Sequence, residues 1–506
     1  MDGAFLLFSS VAVPFFLGLL LLFSPKIRIG MQQCLALLGF GFPLLVAIYL
    51  WWGFQPSLES GYDYLWQVDM GLQRVLGISL HLGLNGIGLI LYILAAVVGL
   101  AAGMVAVWSR AERLGWYLGL LLFMQAGLLG VFASVDLFFL YFFHELAVIP
   151  TFIMIGTWGG SGRKVAAMEM AVYLTVGAML SLVGLITLYF HLEVKSLDLI
   201  ELQRYFAEYS FSQEGTASFF RDNFLALLLL GSGILVSLFP FHSWAPRSYA
   251  AAPCSVAMLH AGVLKKFGLY LLIQVLVPMF PEGINDWKEV LIGLALGNVV
   301  IIGLVGLAQR DLKWLLGYSS VMHMGYGFLG IASMSVLGIS GAVLLLFGHG
   351  LSVALLFLLA TVIHQRTETM DLQSMGGLGT EAPVLSAFFV AAIFASIGLP
   401  GFANFWGELA IFFALGEYPW ILFLAATGII ISAIYGLRAV AAIFFGKPTQ
   451  GLVAVLQKKK INDLFWVERL PAILLLGILV LIGVYPSLIA DPLNEGVIAL
   501  FSKFNR

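Results

Sequence analysis

Charge is what this sequence most lacks. Asp, Glu, Lys and Arg make up 10% of its 506 residues, against 61% hydrophobic, whereas a soluble domain carries about 25% charged residues. That excludes a soluble enzyme held by one anchor and leaves a chain that crosses a bilayer many times. Cysteine is nearly absent too. Cys34 and Cys254 each stand alone among apolar neighbours, so neither a disulfide nor a thiolate metal site is expected. No CxxC pair, haem-attachment motif or glycine-rich strand–helix fingerprint occurs in a suitable context. No redox centre, cofactor or metal is therefore expected on this chain. A formal charge of −2 gives no basic field for nucleic acid. The first apolar run, roughly 4–23, lacks a basic leader and a small-residue cleavage site, so it reads as a membrane helix and not a signal peptide.

Long apolar segments are what the sequence has instead. A crossing takes about 20 apolar residues. Such segments fall at roughly 4–23, 31–52, 83–108, 115–134, 137–158, 166–191, 222–248, 252–278, 289–308, 312–334, 338–364, 383–415, 418–446 and 467–490. The expected fold is an all-α polytopic membrane protein of about fourteen transmembrane helices, a single membrane domain over 1–506. An even number puts both termini on one side, and Lys and Arg decide which. One set of loops holds Lys26, Arg28, Arg110, Arg113, Arg163, Lys164, Arg247, Arg310, Lys313, Arg366, Lys447, Lys458, Lys459, Lys460 and Arg469. The other set holds only Arg74, Lys195, Arg204, Arg221, Lys288, Lys503 and Arg506. The termini are thus expected outside, on the periplasmic side of a bacterial inner membrane. The longer outer loops, 53–82 and 192–221, have room for small hairpins or short surface helices.

Two spans are interrupted by proline. The seventh reads GILVSLFPFHSWAP, with Pro240 and Pro246, and the twelfth reads FASIGLPGFANFWGE, with Pro400 and Gly401. They are five spans apart, and an odd spacing inverts a repeat in the membrane. The expectation is two inverted five-helix repeats, spans 4–8 (115–278) and 9–13 (289–446), with broken helices 7 and 12 lining hydrated cavities. A simple proline kink in each span is the alternative.

Titratable side chains stand alone in several apolar spans. Glu145 lies about nine residues into span 5, and Lys266 about fourteen into span 8, so at a rise of about 1.5 Å per residue both are near mid-depth. His323 and His349 lie at similar depth in spans 10 and 11, and Glu408 follows the break of span 12. Ionisable groups in hydrocarbon are expensive, and by default they mark a pathway. Burial disfavours the charged form of acids and bases alike, which brings such groups toward proton exchange near neutrality. These five are the candidate proton relay. Structural ion pairs for Glu145, Lys266 and Glu408, and plain interhelical hydrogen bonds for the histidines, are the alternatives. Secondary candidates are Glu169, Lys265, His242 and His260. Lys265 sits about 100° round the helix from Lys266 and is not expected on its face. Arg438, inside span 13, can snorkel.

The glutamate of span 5 ahead of GTWGG, the run PFHSWAP followed by APCSVAMLHAGVLKKFG, and DLKWLLGYSSVMHMGY together resemble a known family. So do GHGLSVALLF, MGGL at 375–378, and GLPGFANFWGE. They are similar to the antiporter-like membrane subunits of respiratory complex I, and within them to the subunit M (chain 4) type, over residues from about 80 to 445. The resemblance implies one of several proton channels in a membrane arm, with other membrane-arm subunits as partners and donor oxidation and quinone reduction carried out elsewhere in the complex. It assigns the relay to Glu145, Lys266, His323, His349 and Glu408. No long lateral helix follows the last span, which argues against the subunit L type. A membrane-bound hydrogenase subunit, a multi-subunit cation/proton antiporter subunit, and a membrane-arm subunit that has lost pumping are the alternatives.

The sequence departs from the family pattern at four positions. Leu235 stands where the family has a span-7 lysine that pairs with the span-5 glutamate. Arg247 replaces an aspartate, Glu169 a span-6 lysine, and Asn85 an aspartate ahead of span 3. No side-chain cation is expected beside Glu145.

Overall fold

Hydrocarbon offers the backbone no hydrogen-bond partners, so an apolar chain of this kind must satisfy its own N–H and C=O groups within helices. The computed structural model describes residues 2–24, 26–55, 64–73, 77–208, 216–458 and 461–501, and they obey this rule. Arg74, Lys459, Lys460, Lys503 and Arg506 of the loop-charge pattern lie outside the described residues. The first part runs through α1 (Gly3–Phe23), α2 (Ile29–Trp52), a hairpin of β1 (Leu65–Gln73) and β2 (Ile78–Leu84), then α3 (Gly86–Val107), α4 (Leu114–Ala133), α5 (Leu137–Trp158), α6 (Arg163–His191) and the short α7 (Leu199–Glu208). The hairpin and α7 occupy the two long loops in which such elements were expected.

The interrupted segments follow. Helix α8 (Thr216–Val236) and α9 (Trp244–Ala251) form span 7. Span 8 comprises α10 (Cys254–Gly262), a 3₁₀ turn over Leu264–Lys266, α11 (Phe267–Leu271), a π turn over Leu272–Leu276 and α12 (Val277–Met279). Span 9 is α13 (Pro281–Leu296), a π turn over Gly297–Ile302 and α14 (Gly303–Leu307). Then come α15 (Leu312–Ala332), α16 (Val336–Thr367), α17 (Leu378–Glu381), α18 (Pro383–Ser396), α19 (Ala403–Ala414), α20 (Pro419–Phe444), α21 (Gln450–Lys458), α22 (Trp466–Val484) and α23 (Ser487–Phe501).

Eleven helical segments among the described residues are each long and apolar enough to cross a membrane. They match eleven of the fourteen expected spans. The other three are α15, diluted by Ser, Gly and Lys313, and the two spans whose helices are broken. The breaks lie at 237–243 and 397–402, around Pro240 and Pro400 as expected. Positive φ at Ser237, Gly398 and Gly401 redirects the chain there. The break inside span 8, at Leu264–Lys266, has no proline to announce it.

The core is centred on α16, whose 32 residues are almost all buried. Around it pack α3, α10, α15, α18, α19, α22 and α23. Peripheral helices present their apolar side chains outward, such as Val172, Val176 and Val183 on α6 and Ile430 and Ile434 on α20. Aspartates start spans five apart in the same way: Asp136 Oδ1 accepts from Phe139 N at 3.0 Å, and Asp311 Oδ1 from Trp314 N at 3.0 Å. Each also bridges to a later loop aspartate, Asp198 and Asp371 respectively.

The hairpin is tied to α7 by His81. Its Nδ1 meets Asp198 Oδ2 at 2.5 Å and its Nε2 lies 3.2 Å from Gln67 Oε1. Burial opposes a charge on this ring, but the hydrogen bond and charge of Asp198 outweigh it, and the His81 pKa is raised above its ordinary value.

Candidate functional site

The 3₁₀ turn in span 8 aims its two lysines in different directions. Both are buried, at 1% and 0% exposure. Lys265 Nζ donates to the carbonyl and to Oγ of Ser320 on α15, both at 2.9 Å. Lys266 Nζ donates to the Ala261 carbonyl at 3.2 Å, near the end of α10, and hydrogen-bonds Nδ1 of His349 at 2.8 Å. The break thus lets a lysine side chain engage backbone next to the point where the helix is interrupted.

From His349 the line continues to His323, with ring centroids 5.6 Å apart. His323 Nδ1 lies 2.7 Å from the carbonyl of Ser319. A carbonyl only accepts, so Nδ1 carries the hydrogen and Nε2 is left facing Glu408. The gap from Nε2 to Glu408 Oε1 is 3.9 Å. Glu408 is 4% exposed, and its Oε1 has no hydrogen-bond partner among the described residues. Its other oxygen lies against Gly398, where an added Cβ would meet Oε2 at 2.1 Å. Gly398 adopts φ +74°, so glycine there permits both the turn and the carboxylate's approach. Four of the five expected relay residues are therefore contiguous: Lys266, His349, His323 and Glu408, drawn from the span-8 turn, α16, α15 and α19.

Glu145 does not join them. Its side chain is 41% exposed on the outer face of α5, and His144 Nδ1 lies 3.4 Å from its Oε1. Among the described residues no lysine or arginine lies in ion-pair range of it. Leu235 is buried at 1% and packs against Gly177 of α6. The inward position on this turn of α5 belongs to His144, 1% exposed and stacked on Phe267 at 4.0 Å. Of the secondary candidates, Lys265 is placed as above. His242 faces Phe239 and Tyr318, and His260 is enclosed by Trp244 and Tyr249. Glu169 accepts from Ser243 Oγ at 2.9 Å and pairs closely with Arg247.

Two departures from the family pattern thus meet each other, with the charges exchanged. A third is also matched. Asn85 and Gln274 exchange amide hydrogen bonds at 3.0 and 3.1 Å, and Asn85 Oδ1 also caps α3 through Gly88 N at 2.8 Å.

Sequence reasoning missed Asn298. It sits in the π turn of span 9, where its Oδ1 accepts from Phe239 N at 2.6 Å and its Nδ2 donates to the carbonyls of Ser237 at 3.2 Å and Val321 at 3.0 Å. One buried amide thereby closes the broken backbone of span 7. A lone asparagine in an apolar run was the available signal. Arg366, by sequence one more loop charge, holds Glu468 through two hydrogen bonds, at 2.8 and 2.6 Å, and joins α16 to the start of α22.

A bundle with broken spans and a buried lysine–histidine–glutamate line defines an ion-translocating membrane protein of the antiporter-like kind. Residues 134–434 match the family described as NADH:quinone oxidoreductase/Mrp antiporter, transmembrane, and the chain belongs to that family. It is 32% identical over 447 residues to NAD(P)H-quinone oxidoreductase chain 4 of Gloeobacter violaceus, covering 86% of this chain and 81% of that one. It is 30% identical over 431 residues to NADH-quinone oxidoreductase subunit M of Rickettsia prowazekii, covering 85% of each. Its fold superposes with a TM-score of 0.86 and 28% identity on a chain of respiratory complex I from Thermus thermophilus with bound NADH, covering 98% of this chain and 99% of that one.

Proposed function

We propose that this chain is a proton-translocating, antiporter-like membrane-arm subunit of an NADH:quinone oxidoreductase, with Lys266, His349, His323 and Glu408 as its relay. The observation that carries this reading is the buried, contiguous line from the span-8 turn to the break of span 12. Lys266 exchanges a proton with His349 across 2.8 Å. His323 holds its Nδ1 hydrogen on Ser319 and offers Nε2 toward Glu408. The 3.9 Å gap there is one that a single water or a small carboxylate rotation closes. Glu408, beside the redirected backbone at Gly398, is the release end toward the outer side.

The same reading places both termini on the periplasmic side of a bacterial inner membrane, by the positive-inside pattern. The similar starts of α5 and α15 and the breaks five spans apart support two inverted repeats over 115–278 and 289–446. Electron transfer belongs to other subunits, and this chain holds no redox centre. Glu145, set apart from this line and 41% exposed, is the candidate through which a neighbouring membrane-arm subunit couples to it.

The test is Lys266→Ala in the assembled complex. Proton transfer through the line should slow by about a hundredfold, the lower range for a positioned acid–base group, with assembly retained. A complex carrying Lys266→Ala that translocates protons like the parent overturns the relay.

A further inference from the structure

Outside the relay, buried polar atoms without partners gather around His260. The residue is 0% exposed. Neither of its ring nitrogens has a hydrogen-bond partner among the described residues. A neutral imidazole has one N–H to donate and one lone pair to fill, and native cores rarely leave both unmet. A ring that served only to fill space between Trp244, at 5.6 Å, and Tyr249, at 4.9 Å, would be better as phenylalanine. The Tyr249 hydroxyl is also without a hydrogen-bond partner among the described residues. Lys265 Nζ lies 5.5 Å over the Tyr249 ring, so His260 and Lys265 sit against the same tyrosine. Helix α5, which carries His144, packs on α10 and on the lysine turn.

A route from solvent leads toward this cluster. A cavity of about 1100 Å³ is lined by Arg110, Arg163, Arg366, Glu112 and Glu468 and reaches Cys254 and Ser255 in the first turn of α10. His260 follows Ser255 along that helix by about 7.5 Å, at 1.5 Å per residue. Lys265 is placed to receive. A neutral amine has two N–H bonds, both already directed at Ser320, which leaves its lone pair open.

We propose that His260, hydrated at both ring nitrogens, carries protons from this cavity to Lys265, and that Ser320, one turn before His323 on α15, passes them on to the relay, a branch that bypasses Glu145 and Leu235. The inference rests on the proton-translocation reading above. A proton arriving from water binds the bare ring nitrogen. The proton on the other nitrogen leaves through water to the Lys265 lone pair. The imidazole returns to neutral with its tautomer exchanged, and exchange with the same waters resets it.

The experiment measures protons translocated and quinone reduced by the reconstituted complex carrying His260→Phe, His260→Asn or Lys266→Ala, alongside the parent. His260→Phe keeps the ring volume and His260→Asn keeps hydrogen bonding, but neither titrates. Both should lose at least about tenfold in proton transfer while assembling at parental levels. Parental pumping by either variant, with Lys266→Ala impaired, overturns the branch and leaves the relay standing. Parental pumping by Lys266→Ala overturns the relay and the branch with it. If neither His260 variant assembles, the parent complex decides by high-resolution imaging. Ordered solvent within hydrogen-bond distance of both His260 nitrogens supports the branch, and two dry nitrogens overturn it.

Discussion

The hydrogen on His323 Nδ1 fixes how Glu408 is used. Held by the Ser319 carbonyl, it leaves Nε2 as the only ring atom that can trade a proton with the carboxylate. Glu408→Gln keeps shape and hydrogen bonding but cannot ionise, so it should slow proton release by about a hundredfold in a fully assembled complex. Glu408→Asp, one methylene shorter, should keep part of the rate. Vectorial proton uptake in proteoliposomes reads both, and a Gln variant that pumps like the parent shows that the carboxylate is structural. The four candidates that the structure brings together were legible because a charge or imidazole alone in an apolar run has few bland explanations. Glu145 shows the limit of that reasoning. In a helix that is apolar all round, nothing in the sequence says which way a residue points, and neighbours 100° apart can face opposite ways. His144 took the interior and Glu145 the periphery.

The interrupted helices are closed by side chains. Asn298 binds an N–H and a carbonyl of the span-7 break and a carbonyl of α15. Asn298→Ala leaves the Phe239 N–H and the Ser237 carbonyl without this partner, at about 1–3 kcal/mol for each buried group left unmet. Its expected effect is a lower thermal midpoint of the detergent-solubilised complex and faster amide exchange over 237–243; unchanged exchange there would show that the groups find other partners. The breaks at Pro240 and Pro400 were readable because proline removes a donor and blocks the preceding turn. The 3₁₀ turn at Leu264–Lys266 and the π turns leave no such compositional trace, so they were not. The hairpin–α7 clamp has its own pH dependence. The folded pKa of His81 is raised, so the charged ring stabilises the clamp fully below its unfolded value of about 6.5. That contribution is lost as pH rises through the folded value. Protection factors of the amides in 78–84 and 199–208, taken against the intrinsic exchange rate at each pH, should therefore fall toward alkaline pH. His81→Gln should remove that fall, and a parent chain whose protection factors stay flat across this range would contradict the assignment.

Across the whole molecule, a nearly wholly buried α16 carries His349 to the middle of the bundle, and the helices around it each bring one member of the line. The general architecture was legible, since mean composition and proline positions dictate it. How the departures from the family pattern fit together was not, because each partner is remote in sequence: Asn85 from Gln274, Glu169 from Arg247. The last of these pairs has a hereditary side. Glu169 and Arg247 work only as a couple, so neither position can drift back alone. A hybrid that takes the segment through α6 from this chain and the remainder from a relative of the usual pattern would set Glu169 against an aspartate. The reciprocal hybrid would set a lysine against Arg247. Both should assemble poorly, while the double exchange E169K with R247D should assemble like the parent, as the yield of intact complex on native gels would register. The seam between α6 and α9 is thus a place where this lineage cannot be recombined piecemeal with its kin.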